Sequence, residues 1–114
     1  MAWTVLFHDE FDAEMAKLPS AVRNELLAKA RLLATNGPTL GRPHVDTLNG
    51  SRFDNMKELR FSVDGGIWRA AFAFDPARQA IILVAGNKTG KNQSRFYKQL
   101  VATAESRYAG HLER

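Results

Sequence analysis

The 114-residue chain contains no cysteine, so neither a disulfide framework nor a thiolate zinc site can form. Its three histidines, His8, His44 and His111, lie far apart in the sequence and form no metal-binding motif. No apolar run approaches the ~20 residues that a membrane helix needs, and the N-terminus lacks the apolar region of a signal peptide. We therefore expect a soluble, cytoplasmic protein that binds no metal and no cofactor.

Acidic residues are scarce in the second half of the chain. Residues 1–50 carry five Lys or Arg against six Asp or Glu, a net charge of −1, whereas residues 51–114 carry eleven against six, a net charge of +5. These two values account for the net charge of +4 of the whole chain. A basic half favours a polyanionic partner, and nucleic acid is the first candidate.

The basic half contains three runs that are typical of strands: residues 56–63, 67–75 and 80–85. Asp64-Gly65 between the first two favours positive φ and predicts a tight hairpin in which Arg60 lies opposite Arg69. Apolar residues alternate along both strands, which predicts a core face and an open face, with both arginines on the open face. The continuous apolar third run predicts a strand that is central in the sheet and covered on both faces.

The rest of the chain predicts the following elements: a strand near 2–8, a short helix over about 9–17 capped by Asp9, a helix from Ser20 to Gly37, a long surface loop over 37–55, and a helix from about 92–94 onward. The order is β-α-α-β-β-β-α. We expect an α+β fold, in which a small, mostly antiparallel sheet packs against an αα-hairpin and a C-terminal helix. The 45% apolar content is sufficient for a single domain over residues 1–114.

Arg60 and Arg69 are predicted to lie side by side on the open face, where their charges repel each other. One interpretation is that the pair holds an anion between the two guanidinium groups. The alternative is that Glu58, on the same face, neutralises one arginine in an ordinary surface ion pair. The sequence leaves both interpretations open.

Several other chemistries lack the residues that they require. Gly86–Lys91 (GNKTGK) follows an apolar strand, but its spacing does not match the GxxxxGK[ST] pattern of a nucleotide-binding loop. No local motif supports Ser-His-Asp catalysis, and the open face has no carboxylate pair for glycoside hydrolysis. The available chemistry is cationic, and cations at a strand end beside a helix N-terminus can hold a phosphate.

Cations are sufficient to cleave RNA because RNA supplies its own nucleophile, the ribose 2′-OH. The protein must orient the attack, stabilise charge on the phosphorus and assist proton movement. A lysine among other cations, or Tyr97, is a candidate proton carrier with a lowered pKa.

The element order, together with Lys57–Arg60 (KELR), Gly65–Arg69 (GGIWR) and Gly86–Lys91, resembles the RelE/ParE superfamily of type II toxin-antitoxin systems. It is most similar to the HigB-like, phage-related branch, and the resemblance covers nearly the whole chain. The resemblance implies a toxin that enters the ribosomal A site and cleaves mRNA without a metal, and so inhibits translation. It also implies a small helix-turn-helix antitoxin as partner, with DNA contacted only indirectly, through that antitoxin.

The resemblance implies catalytic roles by position for four residues: Arg60, Arg69, Lys88 and Tyr97. It makes three further residues candidates for binding RNA phosphates: Lys57, Lys91 and Arg95. The segment around Lys88 departs from the Lys-Lys pair that is common in the branch and offers no histidine. A lysine or a tyrosine must then donate the proton.

Two other functions remain open at this point. The ParE branch shares the fold but inhibits DNA gyrase by protein contact, without catalysis. An RNA-binding module that never cleaves would show the same basic face. The presence of Arg60, Arg69 and Lys88 favours cleavage, because a gyrase inhibitor has no need of a phosphate site.

Overall fold

A five-stranded mixed sheet forms the centre of the computed structural model, which describes residues 2–114. The strands are β1 (Thr4–Phe7), β2 (Val45–Thr47), β3 (Met56–Val63), β4 (Gly66–Phe74) and β5 (Gln79–Asn87), in the order β1-β5-β4-β3-β2. β1 is parallel to β5, and the other neighbouring pairs are antiparallel. The helices are α1 (Asp9–Met15), α2 (Ser20–Asn36) and α3 (Gln93–Leu112). The predicted α+β fold class is confirmed.

The β3–β4 hairpin has the register that its turn predicts. Asp64 and Gly65 both have positive φ, 49° and 81°, and Arg60 pairs with Arg69. The backbone N–H of Arg60 donates to the carbonyl of His44, on the side of β3 away from β4. Arg60 and Arg69 therefore form a non-hydrogen-bonded pair, the type in which opposed side chains lie closer together.

Helices cover both faces of the sheet. α1 and α2 pack against the face that carries these buried residues: Leu59, Phe61, Ala70, Phe72 and Ile82. α3 packs against the opposite face, on a surface made of these residues: Met56, Ala71, Ala73, Ile81 and Leu83. The prediction of an open face is therefore wrong over the part beneath α3. The small side chains of Ala71 and Ala73 leave room there for the apolar stripe of the helix.

Three details differ from the predicted elements. The predicted loop over 37–55 contains the short edge strand β2, which pairs with β3 from Val45–Leu59 onward. β5 is an interior strand, but β4 is the central one. His8, rather than Asp9, caps α1, because its Nδ1 accepts a hydrogen bond from the backbone N–H of Glu10 at 3.1 Å.

α3 begins with a side-chain cap, in which Asn92 Oδ1 accepts from the backbone N–H of Arg95 at 2.9 Å. Its buried stripe consists of Phe96, Leu100, Val101, Ala104 and Tyr108, and its other side is largely exposed. Within residues 2–114, none of the helices has both the length and the apolar character needed to cross a membrane.

Candidate functional site

A cleft of about 390 Å³ opens between the start of α3, the end of β5 and the β2–β3 edge. We call it the central cleft. It is lined by Asp46, Thr47, Leu48, Asn49, Glu58, Lys88, Gln93 and Tyr97. The two opposed arginines lie beside it, since both face Glu58. Strands β2 and β3, the residues that follow β2 and β5, and helix α3 thus supply its polar side chains.

Glu58 lies between the two arginines. Its Oε1 is 3.9 Å from Arg69 Nε, and its Oε2 is 4.0 Å from Arg60 Nε. The carboxylate is buried, so this is not the ordinary surface ion pair that the sequence offered as an alternative. In the part of the chain that the structure describes, Oε1 is buried without a hydrogen-bond partner. Glu58 therefore places a buried carboxylate between two cations.

Arg69 is held in place on two sides. Its side chain is only 7% exposed; its Nη1 donates to the Trp68 carbonyl at 2.9 Å and its Nε donates to the Tyr97 hydroxyl at 3.3 Å. Arg60 is 32% exposed and lies 3.6 Å from Asp46 Oδ2. One arginine is thus fixed by the fold, and the other is accessible from solvent.

Lys88 and Tyr97 form the other wall of the central cleft. The Lys88 ammonium lies 5.5 Å from the centroid of the Tyr97 ring and 3.4 Å from Gln93 Oε1. Burial, reinforced by the charge of Arg69, lowers the pKa of Lys88 below 10.5. Burial, followed by the negative charge of Glu58, raises the pKa of Tyr97 above 10.0. The expectation of a lowered pKa agrees with Lys88 and is wrong for Tyr97, whose hydroxyl keeps its proton at neutral pH.

The three predicted phosphate binders lie elsewhere. Lys57 alternates with Glu58 along β3, so it lies on the opposite face of the sheet from that carboxylate. Lys91 and Arg95 line a separate cavity of about 310 Å³ with Phe96, on the first turn of α3. The structure thus brings together Arg60, Arg69, Lys88 and Tyr97, and separates these four from the three predicted phosphate binders.

Two residues of the central cleft, Asp46 and Glu58, are not among the site residues predicted from the sequence. Asp46 lay in a predicted loop, and the three residues of β2 are too few to show a strand pattern. Glu58 was considered only as a neutralising charge, because its burial depends on α3, far along the chain. Among residues 2–114, no group of three or more His, Asp or Glu side chains is arranged to hold a metal ion.

The chain is similar in sequence to a known protein family and to two named proteins. The model of the phage-derived, Gp49-like protein family matches residues 13–109. Two Mycobacterium tuberculosis proteins, both named as a putative toxin, are similar in sequence. HigB2 is 48% identical over 88 residues and HigB3 is 54% identical over 76 residues. These alignments cover 76% and 67% of this chain, but only 43% and 64% of the two relatives.

A solved structure has the same fold. A substituted form of the E. coli toxin RelE, in its free state, superposes with a TM-score of 0.60 and 16% sequence identity. The match covers 90% of this chain and 96% of the RelE chain. At this level of identity the similarity is one of fold.

Proposed function

This chain belongs to the phage-derived, Gp49-like family, and from this membership and the site geometry we propose that it is the toxin of a type II toxin-antitoxin pair that cleaves mRNA. The resemblance to the HigB-like branch of the RelE superfamily, first recognised in short motifs, is confirmed by the relatives and by the fold. Because the chain spans about half the length of its relatives, the activity, the substrate and the partners belong to the proposal.

The observation that carries the proposal is the convergence of four charged side chains at the central cleft. Arg69 presents a fixed guanidinium group, Arg60 an accessible one, Lys88 an ammonium group with a lowered pKa, and Glu58 a buried carboxylate. Phosphate oxygens suit the planar donors of arginine, which bind two oxygens at once. Cleavage of RNA needs such donors, a proton acceptor and a proton donor, and all three are within this site.

In the proposed reaction the scissile phosphate lies on Arg60 and Arg69. Glu58 accepts the proton of the ribose 2′-OH, and the 2′ oxygen attacks the phosphorus. The bond from phosphorus to the 5′ oxygen breaks, and Lys88 donates a proton to that leaving oxygen. The products are a 2′,3′-cyclic phosphate and a 5′-hydroxyl end. The arginines stabilise the charge that develops on the non-bridging oxygens.

Tyr97 has a positioning role in this scheme. Its hydroxyl accepts the hydrogen bond from Arg69 Nε, and its ring lies against Lys88. The raised pKa keeps the phenol neutral, so it does not compete with Glu58 as the base. We further propose that the substrate is mRNA on the ribosome and that a small helix-turn-helix antitoxin neutralises the protein. The toxin names of its relatives support the antitoxin partner.

Primer extension on an mRNA under translation by purified ribosomes tests the proposal. The wild-type protein should produce discrete breaks within codons that require the ribosome, and Arg69→Gln should abolish them. Arg31→Gln, an equal charge change at an exposed position of α2, is the matched control and should cut normally. Folded protein that inhibits growth without breaking mRNA would contradict the proposal and favour the gyrase-inhibitor alternative, which a supercoiling assay then tests.

A further inference from the structure

A second cleft lies beside the arginine pair, next to the segment that precedes β2 in the chain. This lateral cleft has a volume of about 370 Å³ and is lined by Lys29, Pro43, His44, Arg60, Phe61, Ser62 and Arg69. Arg60 and Arg69 form a wall that it shares with the proposed reaction centre. α2 and the segment before β2 supply residues that no step of the proposed reaction uses.

The ionisable groups that line the lateral cleft are all basic: Lys29, His44, Arg60 and Arg69. Three carboxylates lie near these basic groups without lining the lateral cleft: Glu25, Asp46 and Glu58. Glu25 lies 3.7 Å from Lys29 and is 41% exposed, and Asp46 lies 3.6 Å from Arg60. Glu58 lies 3.9 Å from Arg69 and 4.0 Å from Arg60, on the side of the central cleft. The central cleft, by contrast, has both Asp46 and Glu58 in its lining. The lateral cleft is therefore the more favourable of the two for a phosphate group that is bound without reacting.

Lys29 and His44 are brought together from positions 15 residues apart. Lys29 Nζ lies 3.2 Å from His44 Nδ1, and the lysine side chain is only 16% exposed. An ammonium group can only donate, so Nδ1 is the acceptor and the neutral ring carries its hydrogen on Nε2. The pair thus offers an ammonium group and a ring N–H, both suited to phosphate oxygens.

The edge of β3 adds a backbone donor. The N–H of Arg60 donates to the His44 carbonyl, and β2 pairs with β3 only from Val45–Leu59 onward. Backbone groups two residues apart point the same way in a strand, so the N–H of Ser62 faces the same edge, beyond the start of β2. Side-chain cations and a backbone N–H thus face one space.

We propose that the lateral cleft binds a phosphate of the RNA backbone, the neighbour of the phosphate held for cleavage. An RNA strand that crosses the wall formed by Arg60 and Arg69 would then place consecutive phosphates in the two clefts. This inference rests on the proposed RNA cleavage. Contacts of this kind position a strand and do not read its sequence.

The test is single-turnover cleavage of ribosome-bound mRNA by the wild type, Lys29→Gln, His44→Gln and the Arg31→Gln control. We expect both cleft variants to raise the half-saturating protein concentration roughly threefold to tenfold, because each loses one phosphate contact. Lys29→Gln should also reduce the salt dependence of that concentration, because the contact it loses is a charged one. The maximal rate should change little, because neither residue takes part in the reaction. Circular dichroism and thermal unfolding check that the variants are folded.

An mRNA with an uncharged methylphosphonate next to the scissile position, on its 5′ or its 3′ side, identifies the ligand. On one of the two sides, the methylphosphonate should raise the half-saturating concentration of the wild type and have little further effect on that of Lys29→Gln. If the effects of the methylphosphonate and of Lys29→Gln add on both sides, the lateral-cleft inference is wrong and the proposed function stands. The same holds if Lys29→Gln behaves like Arg31→Gln while the wild type cuts. A wild type that cuts nothing overturns both.

Discussion

Arg60 and Arg69 lie opposite each other on β3 and β4, and the carboxylate of Glu58 lies within 4.0 Å of both guanidinium groups. Two adjacent like charges destabilise a sheet, and a shared carboxylate offsets their repulsion. The two arginines nevertheless differ in exposure, 32% for Arg60 and 7% for Arg69. The fold thus fixes one guanidinium group and leaves the other free to meet a substrate.

Glu58→Gln should destabilise the protein, because it leaves the partly buried cations without their shared counter-charge. We expect the free energy of unfolding to fall by about 3 kcal/mol. Adding Arg60→Gln to this variant should lower the free energy of unfolding by less than Arg60→Gln does in the wild type. In the double variant the substitution removes the repulsion between Arg60 and Arg69. Urea unfolding of the two single variants and the double variant measures this coupling. If the losses of unfolding free energy in the two single variants add up to the loss in the double variant, Glu58 does not link the arginines.

Tyr97→Phe should reduce cleavage more than it reduces stability. The variant loses the hydroxyl that accepts from Arg69 but keeps the ring beside Lys88. Tyr108→Phe is the matched control, because its buried hydroxyl accepts from Asn55 and donates to the Phe74 carbonyl. That control should lose about 1 kcal/mol of stability and retain its cleavage rate. The expectation fails if both variants lose activity in proportion to stability.

The lowered pKa of Lys88 predicts the alkaline side of the pH–rate profile. As the pH rises through that value, below 10.5, Lys88 loses the proton that it would donate, so cleavage should decline. Lys88→Arg keeps the charge but cannot act as the acid. It should cut about 100-fold more slowly and lack this decline. The same alkaline decline in both proteins would assign it to another group.

Arg107 connects α3 to α1 and β5, and should control stability in acid. It donates to both oxygens of Glu14, at 2.9 and 2.6 Å, and to the Leu83 carbonyl at 2.7 Å. These hydrogen bonds lower the pKa of Glu14 below 4.5, so their stabilisation is complete above that value and is lost as the pH falls through the folded-state pKa.

Arg107→Gln should therefore be less stable by about 1–2 kcal/mol at neutral pH and lose less of its remaining stability on acidification. Chemical unfolding at several pH values measures both effects. Arg114→Gln removes an exposed ion pair to Asp9 and should change stability by about 0.5 kcal/mol or less. An equal slope against pH in the wild type and Arg107→Gln would disprove the role of Glu14.

The hairpin could be predicted from the sequence because its determinants are local. Asp64 and Gly65 set the turn, and alternation along β3 and β4 sets the faces, so the pairing of Arg60 with Arg69 follows. The family resemblance indicates Lys88 and Tyr97 by their positions in the chain, so these two residues could also be predicted. The burial of Arg69 could not be predicted, because α3 covers it and begins 24 residues later in the chain.

Non-local packing also accounts for the other differences. β2 has only three residues, too few for a pattern, and it forms because β3 offers an edge to pair with. The resemblance makes Lys57 a candidate phosphate binder, but alternation along β3 places it on the opposite face of the sheet from Glu58. The contact of Lys29 with His44 joins a helix to a predicted loop, and no spacing rule indicates it.

An mRNA with a single 2′-deoxynucleotide at a mapped cleavage site distinguishes attack by the RNA's own 2′-OH from attack by another nucleophile. In the proposed reaction the arginine pair holds the phosphate while the 2′-OH attacks it. Ribosome-bound wild-type complexes should cut the all-ribose message to a 2′,3′-cyclic phosphate end and leave the deoxy position intact, while other sites are still cut. Cleavage at the deoxynucleotide would contradict the account, because the nucleophile would then come from the protein or from water.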